Sequence, residues 1–425
     1  GCIPSKALIH AAGLYATARA QAGAARCGVS VTGATLDFAA TRAWMDEVTG
    51  RLRAGVSGLM ESSGVKTLPG SARFLDGKTV EVTSDTGTIL VRADHVVIAT
   101  GSRPADLPGL PTGGRVLDSS AALTLGEPPA RLAVIGAGYI GLELGTAFAK
   151  LGSAVTLVEA ADAILPQYDS RLTRPVLRRL KDLGVTLQLG TRVAGWDDAA
   201  GTLSLTGRDG ETTLHADRVL VTVGRTANTD GLGLSELQLV MDCPFIRVDD
   251  QCRTSMRGVY AIGDVAGGLQ FTHVAGYHAG IVIRSAVLGV PAKAKTGHLP
   301  WATYTDPELA QVGLTEAQAK KEHGPKLEVV RFHYEHNDRA LAERKAAGLI
   351  KVMVVRGRAV GVSIAGYQAG ELINLWSLVL ANNLKMSQVA NMVSPYPTIG
   401  EVNKRAAGAY FSPRLFESDM VKRVV

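Results

Sequence analysis

The fold is decided by the stretch Leu132-Ala-Val-Ile135, Gly136-Ala-Gly138-Tyr-Ile-Gly141, a run of helix formers to Lys150, then Ala154-Val-Thr-Leu-Val158 closing on Glu159. A buried strand, a glycine-rich turn, a helix and a second strand make the opening of a βαβ unit. A lone G-x-G-x-x-G is common. Here it lies between strand and helix, with an acid 23 residues past Gly136, and that context makes it a dinucleotide fingerprint. Gly136 and Gly138 let the backbone turn and approach a pyrophosphate, Gly141 completes the motif, and the helix N-terminus offers N–H groups. Glu159 can accept both hydroxyls of a ribose. It would repel a 2′-phosphate, and residues 160–168 contain no Arg or Lys to receive one, so the expected nucleotide is NAD.

Upstream, Gly1-Cys2-Ile3-Pro4-Ser5-Lys6 leads into a helical run, with Pro4 suited to the first turn. Cys2 then stands at the positive end of a helix dipole, with a lysine one turn on, a setting that favours a thiolate. Residues 1–24 and about 37–62 read as helices. The second carries Phe38, Trp44, Met45, Val48, Leu52 and Val56 mostly at helical spacing. Residues 66–99 alternate as short strands with turns at Asp76-Gly77 and Asp85-Thr86-Gly87, ending in Val96-Val-Ile-Ala99 and Thr100-Gly101-Ser102. Residues 105–114 read as a connection between domains.

Downstream, strands over 218–223 and 258–262 end in Gly224-Arg225 and Gly263-Asp264. A carboxylate directly after a strand end can hold a sugar or sugar-alcohol hydroxyl. A helix follows over 273–288, and after Pro300 the pattern turns to α+β without a glycine-rich phosphate motif. The 425 residues carry a net charge of +6, 46% hydrophobic and 20% charged residues and 48 Gly, an ordinary soluble composition. The most basic stretch, 171–181, spreads its charges among apolar residues and reads as solvated surface, not a nucleic-acid site. No run of 18 apolar residues lacks a charge, so no membrane partner is expected. Cys2, Cys27, Cys243 and Cys252 fit neither a zinc site nor a disulfide framework, and the expected compartment is the cytoplasm.

Taken together, the Cys2–Lys6 run, Ala99-Thr100-Gly101-Ser102, Gly136 to Glu143, Val223-Gly224-Arg225, Ala261-Ile262-Gly263-Asp264, and Tyr396-Pro397-Thr398 with Glu401 resemble the FAD-dependent pyridine nucleotide–disulfide oxidoreductases. The resemblance implies an α/β fold with two Rossmann-like dinucleotide-binding domains, one for FAD (1–114 and 240–295) and one for NAD (115–239). A C-terminal α+β dimerisation domain (296–425) would complete a homodimer. It makes Cys2 the flavin-proximal member of a redox-active cysteine pair, Lys6 the lysine beside the flavin and Glu143 its partner. The Lys6 ammonium would stabilise negative charge on the reduced flavin. Asp264 matches the ribityl-binding aspartate, Gln270 to His273 the loop passing the flavin ring, and Ala72, Thr100, Gly101, Ser102 and Gly224 further cofactor contacts. The implied activity moves electrons between NAD(H), FAD and the cysteine pair to a small disulfide or dithiol, as in dihydrolipoamide dehydrogenase. The alternatives are reduction of a metal ion, as in mercuric reductase, or a non-catalytic dimeric family member.

Two departures qualify the resemblance. The family's first strand, its own G-x-G-x-x-G and the first redox cysteine would all precede Gly1, so a segment somewhat longer than about 30 residues is expected to be missing. And Tyr396 stands where thiol-handling members carry a histidine, held by the glutamate matching Glu401 and offered across the dimer interface. Mercuric reductases have tyrosine in that region but end in a vicinal cysteine pair, whereas this sequence ends at residues 422–425 with Lys-Arg-Val-Val.

Overall fold

A computed structural model describes residues 1–24, 27–208 and 210–416; residues 422–425 lie outside them. The chain divides into two compact units. The first comprises residues 1–49, 106–223 and 297–425, the second residues 50–105 and 224–296.

In the first unit, the strands Val116–Leu117, Arg218–Val221, Arg131–Ile135, Ala154–Val158 and Thr186–Gln188 lie side by side in that order, all parallel. Their crossover helix, Tyr139–Leu151, is buried along most of its length and ends at Gly152 in the left-handed region. Such a sheet, covered on its faces, needs unbroken apolar strands, which is why Leu132, Ala133 and Val134 are all buried. The opening helix, Cys2–Gly23, seats Leu8 and Ala12 in the same core as Leu144 and Phe148. The basic helix Ser170–Asp182 buries Leu172, Val176 and Leu180. Most of its arginines face away from that stripe, but Arg179 is tied to Asp306.

The last part of this unit is a five-stranded antiparallel sheet, in the order Pro300–Thr303, Glu308–Gly313, Arg358–Gly366, Leu349–Val355, Leu327–His333. The helices Ala369–Ala381 and Glu401–Ala409 cover it through Trp376, Val402 and Ala406, all fully buried. This is the α+β segment read from the sequence after Pro300.

The second unit holds the antiparallel meander Ser71–Phe74, Thr79–Ser84, Gly87–Arg92. It also holds the parallel pair Val96–Ile98 with Val259–Ala261 and the antiparallel pair Ser102–Pro104 with Arg225–Ala227. The helix Phe38–Ser62, whose residues 38–49 belong to the first unit and 50–62 to the second, has the length its periodicity gave it, but it buries only Phe38 and Met45. Leu52 and Val56, expected on its inward face, are 50% and 59% exposed, and Trp44 is 39% exposed.

No helix among the described residues is long and apolar enough to cross a membrane.

Candidate active site

The Gly136–Gly141 turn shows what each glycine does. A side chain at Gly136 (φ +101°) would meet the Thr222 carbonyl oxygen at 2.6 Å, and one at Gly141 would meet the Gly136 oxygen at 2.0 Å. Both are therefore demanded by close packing of turn, helix and sheet. Gly138, the N-cap of Tyr139–Leu151, faces open space, as a residue approached by a phosphate must. Glu159 folds back onto this turn: one carboxylate oxygen accepts from Ala137 N at 2.7 Å and the other from Ala161 N at 2.8 Å. Each oxygen keeps a lone pair for a ribose hydroxyl. Residues 160–168 bring no cation of their own, but the hairpin Thr202–Gly207/Gly210–His215 does. Arg208 reaches Asp162 at 2.5 Å.

At the start of the same unit, Cys2 is exposed and is the first residue of its helix, with Gly1 as N-cap. The Lys6 ammonium lies 2.6 Å from Glu143 Oε2, so two residues 137 apart in sequence meet as the resemblance implies. Glu143 is only 6% exposed. Burying a carboxylate is costly unless its oxygens have partners, and both do: Lys6 donates to one and Tyr304 N donates to the other at 2.9 Å. Lys6 also approaches Ser5 Oγ at 3.3 Å.

Tyr396 and Glu401 lie further along this unit. Tyr396 is 70% exposed and its hydroxyl donates to Asp338 Oδ2 at 3.0 Å. The phenol is pushed above its ordinary value, first by the Asp338 hydrogen bond and charge and least by Glu401. Glu401 accepts instead from Thr398 N at 3.3 Å. Asp338 carried no motif, so its partnership with Tyr396 was invisible in the sequence.

The second unit gathers a different set. Asp264 sits in the turn Gly263–Ala266 that follows the strand Val259–Ala261. Ser102 Oγ donates to Asp264 Oδ2 at 2.5 Å, and Arg225 grips Ser102 through Nε on Oγ (2.7 Å) and Nη2 on the carbonyl (2.6 Å). Thr100 and Asn228 exchange hydrogen bonds of 2.7 and 2.9 Å. Gly101 (φ +70°) and Gly224 (φ +129°) each leave open space where a side chain would stand. The Gln270 amide nitrogen is buried without a hydrogen-bond partner in the protein, an expensive condition that a polar ligand atom would relieve. His273 stacks on Phe271 with centroids 5.5 Å apart. Ala72 is itself exposed and is paired across the meander with the buried Val82. These groups fit a flavin nucleotide: hydroxyl acceptors, open backbone at glycine and an unsatisfied donor. Arg225, which organises Ser102 and Asp264, belongs to the Val223-Gly224-Arg225 motif but not to the contacts expected from it.

The model of the pyridine nucleotide–disulphide oxidoreductases matches residues 1–279, and that of their dimerisation domain matches residues 299–407. The chain belongs to this family. It is therefore an oxidoreductase, a flavoprotein disulfide reductase related to the dihydrolipoyl dehydrogenases. The dihydrolipoyl dehydrogenase of Pseudomonas aeruginosa is 40% identical over 410 residues, covering 96% of this chain and 88% of the relative. That of Bacillus subtilis is 37% identical over 413 residues, covering 96% and 87%. Among solved structures, LpdA from Mycobacterium tuberculosis superposes with a TM-score of 0.87 at 26% identity, covering 96% of this chain and 89% of that one. The Cu(II) complex of the HOCl-induced flavoprotein disulfide reductase RclA from Escherichia coli gives 0.83 at 26% identity with the same coverage.

Proposed function

We propose that this protein is a homodimeric, FAD-dependent enzyme that passes electrons between NAD(H) and a small disulfide or dithiol, in the manner of a dihydrolipoyl dehydrogenase. The observation that carries the reading is the Lys6–Glu143 pair, joined at 2.6 Å across 137 residues, with Glu143 buried and Cys2 exposed one turn before Lys6. A bound flavin supplies the carrier for two electrons between nicotinamide and thiol. The chain's own residues do the rest. Gly138 and the helix N-terminus behind it receive a pyrophosphate, and Glu159 takes the ribose hydroxyls and selects NADH over NADPH. Ser102, Asp264 and Gln270 are the hydroxyl and amide partners of the flavin nucleotide. Lys6 holds a positive charge whose counter-ion, Glu143, is fixed and desolvated, so the ammonium stays in one place. Cys2, at the N-terminus of its helix, is one member of the redox pair and the thiol that faces the flavin.

Tyr396 favours a second reading of the acceptor. A phenol pushed above its ordinary range by Asp338 stays protonated near neutral pH and cannot take up a proton, and an acceptor that needs no proton withdrawn, such as a metal ion, would not miss the histidine.

The test is Cys2→Ser in the flavin-loaded protein. Disulfide reduction should fall by at least 10³-fold while NADH oxidation with an artificial electron acceptor persists. Equal loss of both would make Cys2 a structural residue and refute the reading.

A further inference from the structure

The turn that joins the strands Pro300–Thr303 and Glu308–Gly313 carries no recognised motif, yet it meets the Lys6–Glu143 pair directly. Tyr304 touches both members. Its backbone N–H donates to Glu143 Oε1 at 2.9 Å, and its ring centroid lies 4.4 Å from the Lys6 ammonium nitrogen. An ammonium within about 6 Å of an aromatic centroid is attracted by the ring quadrupole. The turn itself is held at a second point. Asp306 is bound by Lys150 at 2.8 Å and by Arg179 at 2.9 Å. Lys150 stands seven residues, two helical turns, after Glu143 on the same helix, so one face of Tyr139–Leu151 clamps the turn at both ends: Glu143 on Tyr304, Lys150 on Asp306. Tyr304 is thereby presented to Lys6 by a rigid support. Lys6 needs such a wall, because its side chain is 34% exposed while that of Glu143 is 7% exposed. A flexible four-carbon stem with one ionic partner would swing about it.

We propose that Tyr304 is a positioning residue for the electron-transfer reaction: its ring fixes the Lys6 ammonium on Glu143, and its backbone N–H fixes Glu143 for Lys6. The hydroxyl has no part in this. Burial, then the charges of Glu308, Glu143, Glu371 and Cys2, push the phenol above its ordinary range, so it stays neutral and the ring keeps its attraction for a cation. The proposal rests on Lys6 working beside the flavin, as argued above, and its test separates the two.

Three variants suffice: Tyr304→Phe, which keeps the ring, and Tyr304→Leu and Tyr304→Met, which remove it but keep the backbone donor. The first readout needs no cofactor. With lysine labelled at Cε and its Lys6 signal assigned by Lys6→Arg, wild type and Tyr304→Phe should show Lys6 methylene protons shifted upfield by the ring. Tyr304→Leu and Tyr304→Met should show them at the ordinary position. The second readout is flavin reduction by NADH in single turnover. Tyr304→Leu and Tyr304→Met should slow it about tenfold, the effect of a cation–π contact of about 1.4 kcal/mol, with nicotinamide affinity unchanged and full rescue in Tyr304→Phe. Two non-aromatic variants keep the test open if one fails to fold. An upfield signal that persists without the ring, or a Tyr304→Phe as slow as Tyr304→Leu, would overturn the proposal. If wild type itself fails to reduce flavin with NADH, the functional reading falls while the ring contact, read by the shift, stands or falls by itself.

Discussion

At Tyr396 a phenol occupies the position of a proton acceptor. A base working near neutral pH wants a pKa near about 7, and tyrosine starts near about 10. Its hydrogen bond to Asp338 moves it further up, because a phenolate beside a carboxylate is doubly unfavourable. The residue therefore remains a neutral donor throughout the physiological range. Oxidation of dihydrolipoamide by the flavin-loaded enzyme should accordingly be slow at pH 7 and climb as pH rises. Tyr396→His should raise the neutral-pH rate by roughly 10²-fold if general base catalysis is all that is lacking, and Asp338→Asn should shift the rise of the wild-type profile to lower pH. Rates against pH for the three proteins decide it. A flat, fast wild-type profile would place the base elsewhere.

Between elements, ion pairs hold neighbours that the hydrophobic pattern alone would leave loose. Lys351, in the inner strand Leu349–Val355, has a side chain only 1% exposed. It pairs with Asp169 at 3.0 Å and with Glu316, which also receives Arg331 at 3.2 Å. Asp169 and Glu316 stand at the starts of the helices Ser170–Asp182 and Glu316–His323, so one buried ammonium ties two helix N-termini to the sheet. The charge is far more deeply buried on the lysine than on the acids. Removing both acids should therefore cost more than removing the lysine. Asp169→Asn with Glu316→Gln, where the asparagine still caps its helix, should destabilise by about 3–5 kcal/mol, whereas Lys351→Met should cost clearly less. Burial raises the Asp169 carboxyl, but the Arg171 N–H and Lys351 more than offset it and hold it below its usual range. That contribution is present above pH of about 4 and is lost as pH falls through the native value. Thermal unfolding of the three proteins at pH 7 and in acid measures both effects, and equal losses would remove the asymmetry.

The same level explains what was legible in the chain. Strand, turn and helix at 132–159 were readable because the alternation of apolar run and glycine is local, and Gly136 and Gly141 bear packing that only glycine permits. The helix Phe38–Ser62 was readable in extent but not in burial, since periodicity reports an apolar face and not what covers it. The Lys6–Glu143 pair came from the family's order of motifs, not from any local signal. Tyr304, Asp338, Arg208 and Arg225 were not assigned, because each acts through a partner brought near by the fold, at separations from 46 residues for Arg208–Asp162 to 298 for Lys6–Tyr304.

Over the whole molecule the decisive question is where the exposed Tyr396 works. Residues 299–407 match the dimerisation domain of the family, and in that region Val393 is 93% and Tyr396 70% exposed. A homodimer that covers this segment would have about twice the 44.6 kDa chain mass by sedimentation. If Tyr396 serves the partner's thiols, as the resemblance implies, no subunit holds a complete thiol site alone. The consequence is testable with mixed dimers. Take one subunit carrying Cys2→Ser together with Tyr396→His, inactive as its own dimer for want of the thiol, and pair it with wild type. The single intact Cys2 then faces the substituted position of the other subunit. The hybrid should oxidise dihydrolipoamide at neutral pH several-fold faster than wild type, despite having half the thiols. If position 396 acts within its own subunit, the substituted residue is stranded beside the serine, and the hybrid should show half the wild-type rate. Differently tagged subunits, purified as the mixed species and assayed at concentrations that keep the dimer intact, distinguish the two outcomes.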